Sequence, residues 1–216
     1  MAFLDRLRER IRSRVAVVAP TAARRRTTQH VEPSTKEGRL RARLDEDPND
    51  RAAFAAVAEI VRANAAEGHE GEQRPRAMAD AEWALAEELA HSPRAWYPLI
   101  ELARLSVDDD LDGAMRRLAT AAEREPTGEA LAESLAMLRR QGKLDAALSL
   151  GVGHWRPKQH VPAAGRELVL AAVEAGRLSD ARRHLEVLAQ NSDTDAVTDL
   201  RIDLDARLAG RKPSST

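Results

Sequence analysis

The chain has 216 residues, 43% of them hydrophobic and 32% charged, with alanine and leucine dominant and aromatics at 3%. This is the composition of a soluble all-helical protein long enough to bury a core. Cysteine is absent, which excludes disulfides, thiolate metal sites and a thiol nucleophile. The formal net charge of −1 hides an asymmetry: residues 1–30 carry eight arginines against Asp5 and Glu9, so an arm of +6 precedes a remainder of −7. Such an arm suits an anionic partner.

Residues 2–18 are expected to form an amphipathic helix. Phe3, Leu4, Leu7, Ile11, Val15 and Val18 fall on one stripe, and Arg6, Arg10 and their neighbours occupy the other face. We take Phe3, Leu4, Leu7, Ile11, Val15, Arg6 and Arg10 as a docking surface over residues 1–19, ended by Pro20. Residues 20–36, with Pro33 and Arg24-Arg25-Arg26, read as a flexible linker. The apolar run from Val15 to Ala19 is too short for a signal-peptide core, and no stretch reaches the ~18 apolar residues of a membrane span. An intracellular, cytoplasmic protein is expected, with its arm able to lie at the inner membrane face.

From Glu37 the helical signal is nearly continuous. A short helix runs to about Asp47, and Asp47-Pro48-Asn49-Asp50 then stops one helix and caps the next. Four pairs recur downstream: Met78/Ala81, Leu111/Ala114, Leu144/Ala147 and Leu178/Ala181, the alanines 33, 33 and 34 residues apart. Leu85, Leu118, Gly151 and Leu185 stand four residues past each alanine. Small residues where two helices cross let their backbones approach, and a single hairpin cannot bury its apolar face alone, so a period in this range marks stacked helical hairpins. Gly142-Lys143-Leu144 and Gly176-Arg177-Leu178 supply two of the turns.

The residues over about 37–193 resemble the tetratricopeptide repeat family. Phe54, Val57, Ala58 and Val61 open a first repeat, whose inter-helix loop carries an insertion of about ten residues, Glu67 to Pro75, before Met78, Ala81 and Leu85. The second keeps Leu102, Leu105, Leu111, Ala114, Leu118, Ala121 and Pro126, with Pro98 where a large apolar residue belongs, so its first helix should start late. The third holds Leu131, Leu135, Leu138, Gly142, Leu144 and Ala147 and weakens at Gly151, His154 and Gln159; the fourth holds Leu168, Val169, Ala172, Gly176, Leu178, Ala181, Leu185 and Leu188. Asp193 to Ala209 reads as a capping helix, with Val197, Leu200, Leu204 and Leu208 on one face, and residues 211–216 as a disordered tail.

The resemblance implies a right-handed α-solenoid of about four hairpins over residues 37–210, gripping a peptide or protein on a concave face. Its inward positions map onto Ala52, Ala55, Glu59, Arg62 and Ala63; Trp96, Leu99, Ala103, Ser106 and Val107; Glu129, Ala132, Ala136, Arg139 and Arg140; and Ala163, Arg166, Leu170, Val173 and Glu174. Arg62, Trp96, Leu99, Arg139, Arg140 and Arg166 are the expected partner-binding residues: an aromatic anchor with arginines around it suits an acidic segment containing apolar residues. Trp96 has a second placement, filling the core gap left by Pro98. The lysine–asparagine clamp with which chaperone-binding members hold a C-terminal carboxylate is missing.

No residue pattern argues for catalysis, a metal or a cofactor. Asp108-Asp109-Asp110-Leu111-Asp112-Gly113 matches half of a calcium loop, but Ala119 stands where the bidentate glutamate is needed, and aspartates at a helix start suit its positive end. His30, His69, His91, His154, His160 and His184 are scattered without ligand spacing. The expected function is a non-catalytic interaction scaffold with a docking arm. The other reading is an adaptor acting through the arm at a membrane surface or on nucleic acid; membrane or protein is favoured, because no aromatic residue interleaves with the arginines to stack on bases.

Overall fold

The structure is a computed structural model that describes residues 35–192 and 197–202. The expected docking helix of residues 1–19, nearly all of the expected linker, most of the expected capping helix and residues 211–216 lie outside the described residues. Within them the protein is all-helical: α1 (Lys36–Glu46), α2 (Arg51–Ala66), α3 (Gln73–Ala90), α4 (Tyr97–Ser106), α5 (Leu111–Arg124), α6 (Glu129–Arg140), α7 (Leu144–His154), α8 (Pro162–Glu174) and α9 (Leu178–Asn191). Residues 197–202 are helical too, with Val197 and Leu200 buried.

Each helix packs on the next, and α4 on α6, α6 on α8 and α5 on α7 are also in contact. The helices therefore pair as α2/α3, α4/α5, α6/α7 and α8/α9, after the single helix α1. The pairing turns of the last two hairpins are built alike. Gly142 and Gly176 take φ of 68° and 70°, a conformation only glycine adopts cheaply. The amides of Lys143 and Arg177 then donate back to the carbonyls of Leu138 and Ala172, closing each helix end.

The burial pattern shows how the hairpins are registered. Ala53, Ala130 and Ala164 are each 0% exposed in the first turn of a first helix, and Ala95, also 0% exposed, stands two residues before α4. The next residue is Phe54, Trp96, Leu131 and Gly165, all buried, and four positions later come Ala58, Ile100, Leu135 and Val169, again buried. The repeat along the first helices is therefore 42, 35 and 34 residues. This corrects the expected alignment of the second hairpin by two residues. Trp96, not Pro98, fills the large apolar position, and Pro98 instead opens α4 within its first turn, where its missing N–H costs nothing. Most of the insertion at Glu67–Pro75 lies between the helices: α2 ends at Ala66 and α3 starts at Gln73, leaving Glu67 to Glu72 as the connection, and only residues 73–75 join α3.

The second helices bury the alanines of the repeated pairs, Ala114, Ala147 and Ala181 at 0%, while Ala81 is half-buried. Their partners lie nearer the surface, with Leu111 40% exposed. Gly151 is not a lapse in the pattern. A Cβ there would stand 2.6 Å from Leu168 Cδ1, so glycine permits α8 to close on α7.

Successive connections between hairpins are tied in a row. Asn49 accepts from the amides of Trp96 (2.8 Å) and Tyr97 (3.0 Å) and donates to the Arg94 carbonyl (3.0 Å), capping α4, which lacks a side-chain cap of its own. Arg124 donates to the carbonyls of Ala90, Ser92 and Ala95. Glu125 accepts from the Thr127 amide and hydroxyl and the Ala130 amide. Burial would raise its pKa, but these hydrogen bonds outweigh that and hold it below the ordinary carboxylate value. The Val161 amide donates to the Thr127 carbonyl at 2.7 Å. Asn49→Ala is expected to leave two amides of α4 without their acceptor and to lower the urea-unfolding free energy by about 1–2 kcal/mol; Asn191→Ala, on exposed α9 surface, is the control and should change it by less than about 0.5 kcal/mol.

Candidate functional site

The corrected register defines which side chains of the first helices stay outside the core at matching turns. Ala55, Tyr97, Ala132 and Arg166 form one row, Glu59, Glu101, Ala136 and Leu170 the next, and Arg62, Arg104, Arg139 and Val173 the third. All are exposed or half-buried except Val173, which is buried. The rows place one arginine from each of α2, α4 and α6 at the same level.

Of the residues expected to bind a partner, Arg62, Arg139, Arg140 and Arg166 lie on this face. Trp96 and Leu99 do not. Both are 8% exposed and belong to the core, because the two-residue shift rotates them by about 200° from the face. Ala103 and Val107 are buried for the same reason. Tyr97, Glu101 and Arg104 take their places, and the sequence holds a signal for this: the alanine-plus-large-apolar pairs Ala53-Phe54, Ala95-Trp96 and Ala130-Leu131.

The arginines of the third row are held by carboxylates of the protein itself. Glu82 of α3, 8% exposed, binds Arg104 and approaches Arg62 at 3.7 Å. Arg104 also donates to Glu101 at 2.7 Å. Arg139 forks onto both oxygens of Glu174, with Nε to Oε2 at 3.0 Å, and binds Glu167. Arg166 donates to Glu167 at 2.9 Å. Burial works against the charge of Arg104 and Arg139, yet their carboxylate partners outweigh it and raise both pKa values. Arg140 is exposed at the end of α6. Shallow pockets open beside these groups. One of about 480 Å³ is lined by Glu59, Arg62, Ala63, Arg74 and Met78, and another of about 240 Å³ by Ala136, Arg139, Arg140, Glu167 and Glu174.

Aromatic rings sit at the edge of the face. Tyr97 meets Phe54 edge-on at 5.5 Å and Trp96 at 6.0 Å, while Arg51 lies over the rings of Trp96 (5.4 Å) and Tyr97 (5.8 Å) and reaches Glu133 of α6 at 3.1 Å. Burial, then Glu101 and Glu133, push the Tyr97 phenol above its ordinary pKa, so it stays a neutral donor. Asp110 accepts from the Gly113 amide as the N-cap of α5. Among the described residues no helix is long and apolar enough to cross a membrane, and no three His, Asp or Glu side chains are grouped to hold a metal ion.

Set against protein-family models, curated proteins and solved structures, the chain matches none. Because Glu82 pairs with Arg104 and approaches Arg62, both partly exposed, Glu82→Gln should lower stability by about 1 kcal/mol in urea titration, whereas Glu59→Gln on the same face should change it by less than about 0.5 kcal/mol.

Proposed function

We propose that the chain is a non-catalytic interaction scaffold of the tetratricopeptide-like kind, a right-handed solenoid of four hairpins that presents the rows on α2, α4, α6 and α8 to a protein or peptide partner. The observation that carries this reading is the repetition itself. Three first helices, α2, α4 and α6, bury matching positions and leave the same three positions outside, and α8 follows them in the first two rows, so a repeated surface is offered instead of an enclosed cavity. A partner laid across it meets small side chains at Ala55, Ala132 and Ala136, which let a backbone come close, and fixed charges at Arg62, Arg104 and Arg139. Because internal carboxylates hold those arginines, little side-chain entropy is lost when a partner's carboxylates or carbonyls dock on them. The partner's own acidic groups then share guanidinium donors with Glu82, Glu167 and Glu174, which favours carbonyl-rich extended segments over densely acidic ones.

A second reading comes from the +6 charge of residues 1–30. In it the arm is the active element, attaching a cytoplasmic protein to an anionic membrane face, a protein or a nucleic acid. One experiment separates the two. A photo-crosslinking amino acid is placed in cells at Ala136, or at Glu123 on α5 as a control, in the full chain and in one lacking residues 1–30. The scaffold reading expects a discrete adduct from Ala136 in both chains and none from Glu123. Adducts that vanish with the arm assign recognition to the arm, and identical adducts from both positions remove the case for this face.

A further inference from the structure

The fourth hairpin is the odd member of the array. Where the others bring Phe54, Trp96 and Leu131 to the first-helix slot, it has Gly165. The slot is not empty. A Cβ on Gly165 would lie 2.7 Å from Trp155 Cζ2 and 2.8 Å from Leu188 Cδ1, so the indole of Trp155 and the Leu188 side chain occupy the space. Trp155 does not belong to the hairpin it completes. It stands at the end of α7, where residues 155–161 cross to α8. The hairpin therefore takes its aromatic anchor from a connecting segment.

Each end of that segment is held beside a histidine. At one end the Trp155 ring meets the His184 ring of α9 edge-on at 6.1 Å. At the other, His160 lies where a side chain on Gly128 would go, 2.6 Å from that Cβ position, and its Nδ1 accepts the Arg156 amide at 3.3 Å. The neighbouring Val161 amide donates to Thr127 of the junction before α6. An Nδ1 that accepts a hydrogen bond must be unprotonated. His184 faces Arg177, Asp180 and Arg183, with Asp145 of α7 lining the same cleft; His160 faces Arg156 and His154, with Glu125 across the junction from it. Burial first, and then Arg156 for His160 and Arg183 for His184, lower both pKa values, against the opposing pull of Glu125 and Asp180.

We propose that residues 155–161 form a proton-operated latch: protonation of His160 and His184 draws Trp155 out of the Gly165 notch and loosens the fourth hairpin from the third. For a histidine whose pKa is lowered by folding, the unfolded or opened state binds more protons. Stability is therefore complete above the unfolded value near 6.5 and is lost as pH falls through the window beneath it. Carboxylates contribute their own losses at lower pH, outside that window.

The test is hydrogen exchange of the full chain at about pH 7.5 and about pH 5.5, corrected for the intrinsic pH dependence of exchange. Amides of 155–174 should lose protection by about fivefold or more relative to those of 97–124. The variant His160→Asn with His184→Phe keeps an acceptor and an edge-on ring without a titrating group, and its protection should not change with pH. Equal protection at both pH values in the unaltered chain overturns the latch, as does an undiminished loss in the double variant. Should the double variant fail to fold, NMR titration of the unaltered chain decides. Both histidines should titrate below about 6.5 with the Trp155 indole resonance moving in step; titration at or above that value, or a stationary indole, overturns the proposal.

Discussion

Everything in this array hangs on the closeness with which each first helix begins against its neighbours. Ala53, Ala95, Ala130 and Ala164 have no exposed surface, and each is followed by the residue or the notch that fills the space between hairpins. A larger side chain at any of them has no room without displacing a helix, because close-packed interiors do not absorb an added methylene cheaply. Once the starts are fixed, the α-helical period decides which side chains enter the core and which remain on the outer rows. The ties through Asn49, Arg124, Glu125 and Val161 then hold the connections at the same level. Packing sets the spacing and hydrogen bonds set the register.

The charged side chains answer a problem that this packing creates. Arginines at matching levels of α2, α4 and α6 would repel one another if left alone. Glu82, Glu167 and Glu174 break up that row, and they come from elements adjacent to the arginines they bind. The pairs are partly exposed, so their net contribution to stability is modest. Their larger effect is to fix the orientation of the guanidinium groups. Under the proposed scaffold role, a surface of small residues and pre-set donors would suit a partner's backbone better than a strongly acidic segment.

Much of the fold could be read from the chain because helical periodicity and the Leu/Met-x-x-Ala spacing are local signals. Ala114, Ala147 and Ala181 are buried where that spacing put helix crossings, and Gly142 and Gly176 make the turns. The second hairpin departs from the expected register because Trp96, not Pro98, occupies its large apolar position. The second helices keep a spacing near 33 residues, whereas the first helices are spaced 42, 35 and 34, so the period of the one does not carry over to the other. The two-residue error carried Trp96 and Leu99 from the core to the face and hid Tyr97, Glu101 and Arg104. The exchange at Gly165 was beyond local reading, since the indole that fills the notch comes from ten residues upstream and only the three-dimensional arrangement brings them together. The carboxylates that neutralise the face were equally hidden, because Glu82 lies on a second helix and its sequence neighbours do not disclose which arginines it meets.

The shared register of the first helices is tested most directly at Ala95, which precedes α4 by two residues yet is as buried as Ala53, Ala130 and Ala164. Valine is substituted in turn at Ala53, Ala95, Ala130 and Ala164, with Ala55→Val on the exposed row as the reference, and unfolding is followed in urea. All four buried positions should lose about 1–3 kcal/mol, Ala95 no less than the others, while Ala55→Val should shift stability by less than about 0.5 kcal/mol. A value for Ala95→Val that matches the Ala55 reference would contradict the shared register.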